Sequence, residues 1–450
     1  MTSPQTFTLA AAGDAILNRR LRASEEESFR SLVSHVREAD LSVVNLETLL
    51  HDYEGYPLAN APGTYMRSPP WVADELMWAG FDAFTTATNH AFDYSHGGME
   101  ATMRELDARE IPYAGLGHNL SRARAPAYVD TPAGRCALIS VCSTITTGSV
   151  AGARGPDIGG RPGIAPLRLQ TRYQVPADAL ESLRAMSDAL GLEALKERRA
   201  SLGFPIAGHD DDVFRLLNLG GGDNPGFEVG DAFGVVQHAE ERDLEAVHAR
   251  IRDAKRQADW VVVSLHAHEG IGGRGNDHSV PPFVETFARS CIDRGADAFV
   301  GHGPHVLGGI EVYDGSPIFY SLGNFLMQNE TVELVPPEMY ERYGLDADAL
   351  PAAVFDARVY DNGERTGFLG DSAFWEGVLP VCTFDAETAA LDSIRLYPLD
   401  LGHEKSRAQR GWPLLADGER ATAILDQLAE LSKPYETTLV VEGESARVEL

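Results

Sequence analysis

Cysteine is scarce in this chain, and what there is has no metal-binding spacing. Cys136, Cys142, Cys291 and Cys382 are scattered over 450 residues, and at least three stand in apolar, strand-like surroundings, as buried reduced thiols do. Positive charge is short too: 38 Lys and Arg face 67 Asp and Glu, a formal charge of -29. The acidic residues run along the whole chain instead of forming a tail, which makes nucleic acid and anionic membrane poor partners. No apolar run approaches the roughly 20 residues of a membrane-spanning helix. The N-terminus "MTSPQTFTLAAAGDA" has no basic segment, and its apolar stretch leads into Gly13-Asp14 instead of a cleavage site. A cytoplasmic protein is the expectation. Repeats and low-complexity tracts are missing, and acidity of this kind fits either a divalent-metal protein or an ordinary solvated surface.

What is present is a series of short apolar runs that end in polar or glycine-rich turns: "FTLAAAGD", "LSVVNLE", "FDAFTTATNH", "CALISVCST", "WVVVSLHAH", "ADAFVGHG" and "PIFYSLGN". Helix-period segments such as "GGMEATMRELDARE" and "ERDLEAVHARIRDAKRQ" lie between them. Apolar strands alternating with amphipathic helices predict an α/β fold whose sheets are covered by helices. Residues 150–235 read as an insertion or cap and residues 328–376 as a lid segment, both on one catalytic domain spanning 1–450.

Polar residues cluster at the ends of the apolar runs, where loops of an α/β sheet converge on a ligand. Asp14, Glu47, Asn89, His90, His266, His268, His302, His305 and Asn324 all fall there. His266 and His268 are two apart, so on extended backbone they point the same way. His302 and His305 share the Gly/Pro turn "GHGPH". Any one of these histidines alone reads as structural; five of them beside Asp14, Glu47 and Asn89 read as a metal-centred site. Asp93 is either the partner of His90 or a cap for the helix that follows, and His96 reads as a turn residue.

The motifs "GDAILNRRL", "NLE", "TNHAFDYSHGG", "GRPGIAPLR" and "GHGPHVLGGIEVYDGSPIFYSLGNF" resemble the capsule-synthesis (poly-γ-glutamate, CapA-like) family of the calcineurin-like metallophosphoesterase superfamily. The resemblance implies a four-layer α/β/β/α sandwich. It also implies a divalent metal, calcium, manganese or zinc, with no organic cofactor. Matched position by position, Asp14, Glu47, Asn89, His266 and His302 correspond to the metal shell, and His90, Asp93 and His305 to nearby catalytic groups.

Three departures stand out. Ile16 occupies the place of a usual histidine, Glu47 that of a bridging aspartate, and Ala267-His268 that of Trp-Gly. Capsule-system members are also commonly membrane anchored, and no anchor-like run is read here. With these departures the chain is similar to the metal-dependent peptide epimerase of lasso-peptide biosynthesis. That similarity implies an isomerase that inverts Cα at the C-terminal tail of a ribosomally made precursor peptide.

Two His/Asp pairs would serve such chemistry: His90 with Asp93, and His268 or His305 with a carboxylate such as Asp14. A cation for the peptide carboxylate is sought among Arg19, Arg20, Arg161 and Arg274, and an aromatic pocket in 328–376. The alternatives are a metal-dependent hydrolase of a phosphoester, γ-glutamyl or peptide bond, and a non-catalytic polymer-handling protein.

Overall fold

Alternation along the strand Thr6–Ile16 decides which way each side chain faces. Phe7, Leu9 and Ala11 enter one apolar cluster, Ala10 and Ala12 another. Both faces are buried, which accounts for the nearly unbroken apolar run. A computed structural model of the chain describes residues 6–61, 63–204, 213–216, 226–346 and 348–450.

The cluster holding Phe7 and Leu9 also takes in Cys136, Leu138, Trp260, Val262, Ala298 and Val300 from a second sheet. Phe7 stacks on Trp260 with ring centroids 4.4 Å apart. The outer face of the first sheet, with Ala10, Val44 and Leu46, packs on Phe29, Leu32 and Val36 of the helix Glu27–Glu38 and on Leu76 of the helix Val72–Ala79. The outer face of the second, with Ile139, Val261, Val263 and Phe299, packs on Val247 and Ile251 of Glu241–Ala254 and on Phe283 and Phe287 of Pro282–Asp293. The result is the four-layer α/β/β/α sandwich that the resemblance implies.

Among the described residues the first sheet has ten strands and the second six. At the heart of the first, Thr6–Ile16 pairs in parallel with Leu41–Leu46 and Asn324–Met327, and Leu41–Leu46 pairs with Ala83–Thr85. In the second, Trp260–His266 lies parallel between Gly134–Cys142 and Ala298–His302. The C-terminal strands Glu376–Asp385 and Leu391–Asp400 extend the first sheet antiparallel. All four cysteines are buried and free. Among the described residues no helix is long and apolar enough to cross a membrane.

The stretch 150–235 is less of a unit than its composition implied. Gly163-Ile164 pairs with Leu116-Gly117, and Pro166 bridges to Cys142, so its first part belongs to the core. Among the described residues a separate four-stranded sheet begins only at Leu169 and runs to Ala239, with a small core of Val175, Leu180 and Phe214. The whole of the glycine-rich "NLGGGDNP" lies outside the described residues, and Gly226–Val229 after it is a strand. The segment 328–376 forms two short helices, Pro337–Arg342 and Pro351–Val359, each opened by a proline whose missing N–H costs the first turn nothing.

Candidate metal centre

Strand register lines up one polar row on each sheet. Thr85, Asn45, Asp14 and Asn324 are successive partners across the carboxyl ends of four parallel strands. Opposite them, Cys142, His266 and His302 are partners across three. His266 continues the alternation of Trp260 and Val262, and His302 that of Ala298 and Val300, so both imidazoles enter the gap between the sheets.

Asp14 breaks the pattern. Strict alternation with Ala10 and Ala12 assigns it to the helix side, but its pairing slips in register on both flanks. Such a slip re-aims a side chain, and the Asp14 carboxylate faces the second sheet, accepting from Gly303 N at 3.1 Å. The slip depends on close backbone approach. Asp14 N donates to Gly323 O at 3.1 Å, and a Cβ on Gly13 would sit 2.0 Å from that oxygen.

The remaining groups come from the loops just beyond. Glu47 follows its strand by one residue, and Asn89 and His90 open the 3-10 turn Asn89–Phe92. His305 sits at φ 62 after Gly303 at φ 111, left-handed geometry that costs a non-glycine residue energy and turns its ring inward. All nine residues expected at the site are joined by contacts of 3.9 Å or less. From Glu47 Oε1 the Nε2 atoms of His266, His268, His305 and His90 lie at 3.6, 3.8, 3.6 and 3.9 Å. Asp14 lies 3.9, 3.6 and 3.4 Å from His266, His302 and His305. Asn89 Oδ1 is 3.1 Å from His266 Nε2, and His90 Nδ1 is 2.7 Å from Asp93 Oδ2.

The other imidazole nitrogens are held by groups that the sequence did not single out for this role. His305 Nδ1 donates to Asn324 Oδ1 at 2.9 Å, because the Asn324 amide nitrogen is committed to the carbonyls of His305 and Phe374. His268 Nδ1 is 2.7 Å from Asn276 Oδ1. Asn45 donates to Asp14 Oδ1 at 2.7 Å and accepts from Thr85. The expected second His/Asp pair is therefore altered: amides, not carboxylates, hold the Nδ1 atoms of His268 and His305, with Asp14 Oδ2 next to His305 at 3.4 Å. Asp93 does not cap the helix that follows. Its Oδ2 takes His90 and the Met66 N–H, and the helix Ser95–Ala108 begins after Tyr94 without a side-chain cap. His96 lies within the first turn of that helix, its ring against Phe92.

A cation fits this donor set. Both Glu47 oxygens are buried without a hydrogen-bond partner, as is His302 Nδ1. Glu47, His266 and His268 form one group able to hold an ion, and Asp14, Glu47 and His305 another. Burial pushes Glu47 well above the carboxylate range, reinforced by Asp14 and Asp93, and pushes Asp14 up to about 7. Burial also drives His302 down to about 3, His268 to about 4, and His266 and His305 well below the ordinary imidazole value. Stripped of water, these groups shed their charges; a divalent ion favours carboxylate and neutral imidazole instead.

None of the four arginines proposed for a substrate carboxylate contacts the nine residues. Arg19 donates to the carbonyls of Ala408 and Arg410, and Arg20 pairs with Glu75. Arg161 bonds Val150 O, and Arg274 is exposed beside Asp277.

Two stacked sheets between helices, with carboxylates and imidazoles gathered at their paired ends, form the arrangement that the resemblance to the calcineurin-like superfamily implies. Residues 8–329 match the family described as Bacterial capsule synthesis protein PGA_cap, and the chain belongs to that family. It is similar to Uncharacterized protein y4sH of Sinorhizobium fredii, 35% identical over 455 aligned residues covering 99% of this chain and 93% of that one. Capsule biosynthesis protein CapA of Bacillus anthracis is 23% identical over 330 residues, 72% of this chain and 60% of that one. A solved structure of a novel phosphatase from Mycoplasma pneumoniae aligns over 88% of this chain and 94% of that one, at 12% identity and a TM-score of 0.38, too weak a likeness to argue from.

Proposed function

We propose that the protein is a metal-dependent peptide epimerase that inverts Cα of the C-terminal residue of a ribosomally made lasso-peptide precursor. The reading rests on one observation. His90 and His305 both turn Nε2 toward Glu47 Oε1, at 3.9 and 3.6 Å, while their Nδ1 atoms are tied to Asp93 and Asn324. Inversion needs one group to remove the α-proton and another to deliver a proton to the opposite face. In His90 the Nδ1–H donates to Asp93, which fixes the tautomer and leaves the Nε2 lone pair free. Asp93 is itself held by the Met66 N–H at 2.7 Å. His305 is assigned the opposite face in preference to His268, because Asp14 Oδ2 lies 3.4 Å from its Nδ1 and stabilises the protonated ring.

Glu47, His266 and His268 would hold the divalent ion. His266 and His268 bring their Nε2 atoms within 3.0 Å of each other. The two imidazoles favour zinc and the Glu47 carboxylate admits manganese, whereas calcium prefers an all-oxygen set. The ion supplies positive charge that stabilises the negative charge developing on the substrate carboxyl group. Asp14 and His302, which the resemblance also assigns to the shell, face each other at 3.6 Å.

A metal-dependent hydrolase is the second reading, since a cation held at Glu47 and His266 would serve hydrolysis as well. Ile16 counts against the phosphoesterase form of it: it is buried in apolar surroundings with Leu46 and Met327 and offers no ligand. Incubating the metal-loaded protein with candidate precursor peptide in deuterium oxide separates the two. One deuterium at the terminal Cα without cleavage is expected. Peptide fragments, or phosphate released from model esters, with no exchange at Cα would overturn the epimerase.

A further inference from the structure

Arg358, near the end of the helix Pro351–Val359, reaches the mouth of the metal centre. Its guanidinium donates to Thr64 Oγ1 and lies 5.5 Å from the centroid of the Phe368 ring. That ring stands edge-on to His305 with centroids 5.7 Å apart. Thr64 follows Gly63, where a Cβ would be 3.5 Å from His90 Cε1. One guanidinium thus joins the wall beside His90 to the wall beside His305.

Its neighbours are already committed. Arg342 donates to Ala61 O at 2.6 Å and Gly63 O at 3.2 Å, and Arg407 pairs with Asp356 at 2.5 Å. Among the described residues Arg358 has no carboxylate partner. Glu330, whose field it feels, is taken by Arg410 through two bonds of 2.6 and 2.7 Å. A half-buried arginine without a counter-ion is costly to keep, and it is anomalous in a chain with a formal charge of -29. Four of its five N–H groups remain for a ligand, in the planar fork that matches a carboxylate through two parallel bonds.

The geometry points to Arg358 as the seat of the substrate's carboxylate, the specificity group that admits a free peptide end between His90 and His305. The inference rests on the reading that the substrate is a peptide's carboxyl end. Each carboxylate oxygen carries two lone pairs, so the guanidinium and a cation at Glu47 are not rivals for it. The atom next to that carboxylate is Cα, and seating the group at Arg358 brings Cα between the two imidazole walls.

The test compares wild type, Arg358→Gln and Arg358→Lys, matched for metal content and circular dichroism, in calorimetric titrations with N-acetyl-glycyl-tryptophan and its C-terminal amide. Wild type is expected to prefer the acid. Arg358→Gln should lose about 10- to 100-fold in affinity for the acid, as for a charge-assisted bond, and less than twofold for the amide, with Arg358→Lys recovering part of the loss. Wild type that binds the acid no better than the amide, or a variant that weakens both alike, overturns the assignment. Inorganic phosphate that binds wild type but not Arg358→Gln, while acid and amide stay equivalent, overturns it in favour of a phosphoryl group. An Arg358-dependent acid preference without Cα exchange sustains the seat and sinks the epimerase. Exchange whose KM ignores Arg358→Gln does the reverse.

Discussion

Substituting Glu47 tests the metal centre most sharply. Its carboxylate is fully buried with both oxygens unpartnered, and four imidazole nitrogens lie 3.6–3.9 Å from Oε1. An ion there binds the folded chain and not the unfolded one, adding about 2.7 kcal/mol when free metal is about 100 times Kd. For 450 residues melting as one unit, about 2.1 cal/mol/K per residue sums to about 0.9 kcal/mol/K, so the gain is about 3 °C in Tm. Glu47→Gln keeps the shape, removes the charge and lets the amide donate to a neighbouring imidazole. After chelation and dialysis, scanning calorimetry should find the metal-free variant melting at or above wild type. Added manganese or zinc should raise wild type by about 3 °C and leave the variant unmoved, with elemental analysis finding the ion in wild type alone. Equal shifts in both proteins, or an unmoved wild type at saturating metal, would refute the reasoning.

Three further outcomes are expected. His90→Ala should slow Cα exchange by about 10²- to 10⁴-fold with metal content unchanged; unaltered exchange in fully metallated variant would remove His90 from the chemistry. Asp243 is buried beneath Arg168, which bonds it twice at 2.7 Å, and beside Arg124. Burial alone would raise its pKa, but the Arg168 bonds outweigh it and hold the carboxyl below its ordinary value. The pair therefore stabilises the fold above about pH 4 and loses that effect as pH falls through the lowered pKa. Asp243→Asn should cost about 3 kcal/mol at pH 7, with the gap to wild type closing in acid; a gap of constant size from pH 7 to pH 3 in denaturant melts would contradict this. Gly13→Ala puts a Cβ 2.0 Å from Gly323 O, so it should cost about 3 kcal/mol and weaken metal binding through Asp14, whereas a wild-type melting curve and metal content would show that the close approach is not required.

How far the sequence discloses such a site depends on the range of the forces that build it. Strand-end residues are legible because alternation is local: Trp260 and Val262 predict the direction of His266, and apolar strands between amphipathic helices predict sheets covered by helices, whereas the four-layer order comes from the family resemblance. The bulge at Asp14 is not local. It depends on Gly323, more than 300 residues on, and without it the carboxylate would face the helices. Composition also gives no sign of the pairing of Gly163-Ile164 with Leu116-Gly117, which only the folded chain brings near. The Nδ1 partners show the same division. Asp93 is three residues from His90 and could be named as its partner, whereas Asn276 reaches His268 from eight residues on, across a loop whose path no local periodicity sets. Arg358 is the extreme case. An arginine on a short helix is ordinary until no acid among the described residues answers it, and what a cation lacks can be read only from the residues packed around it.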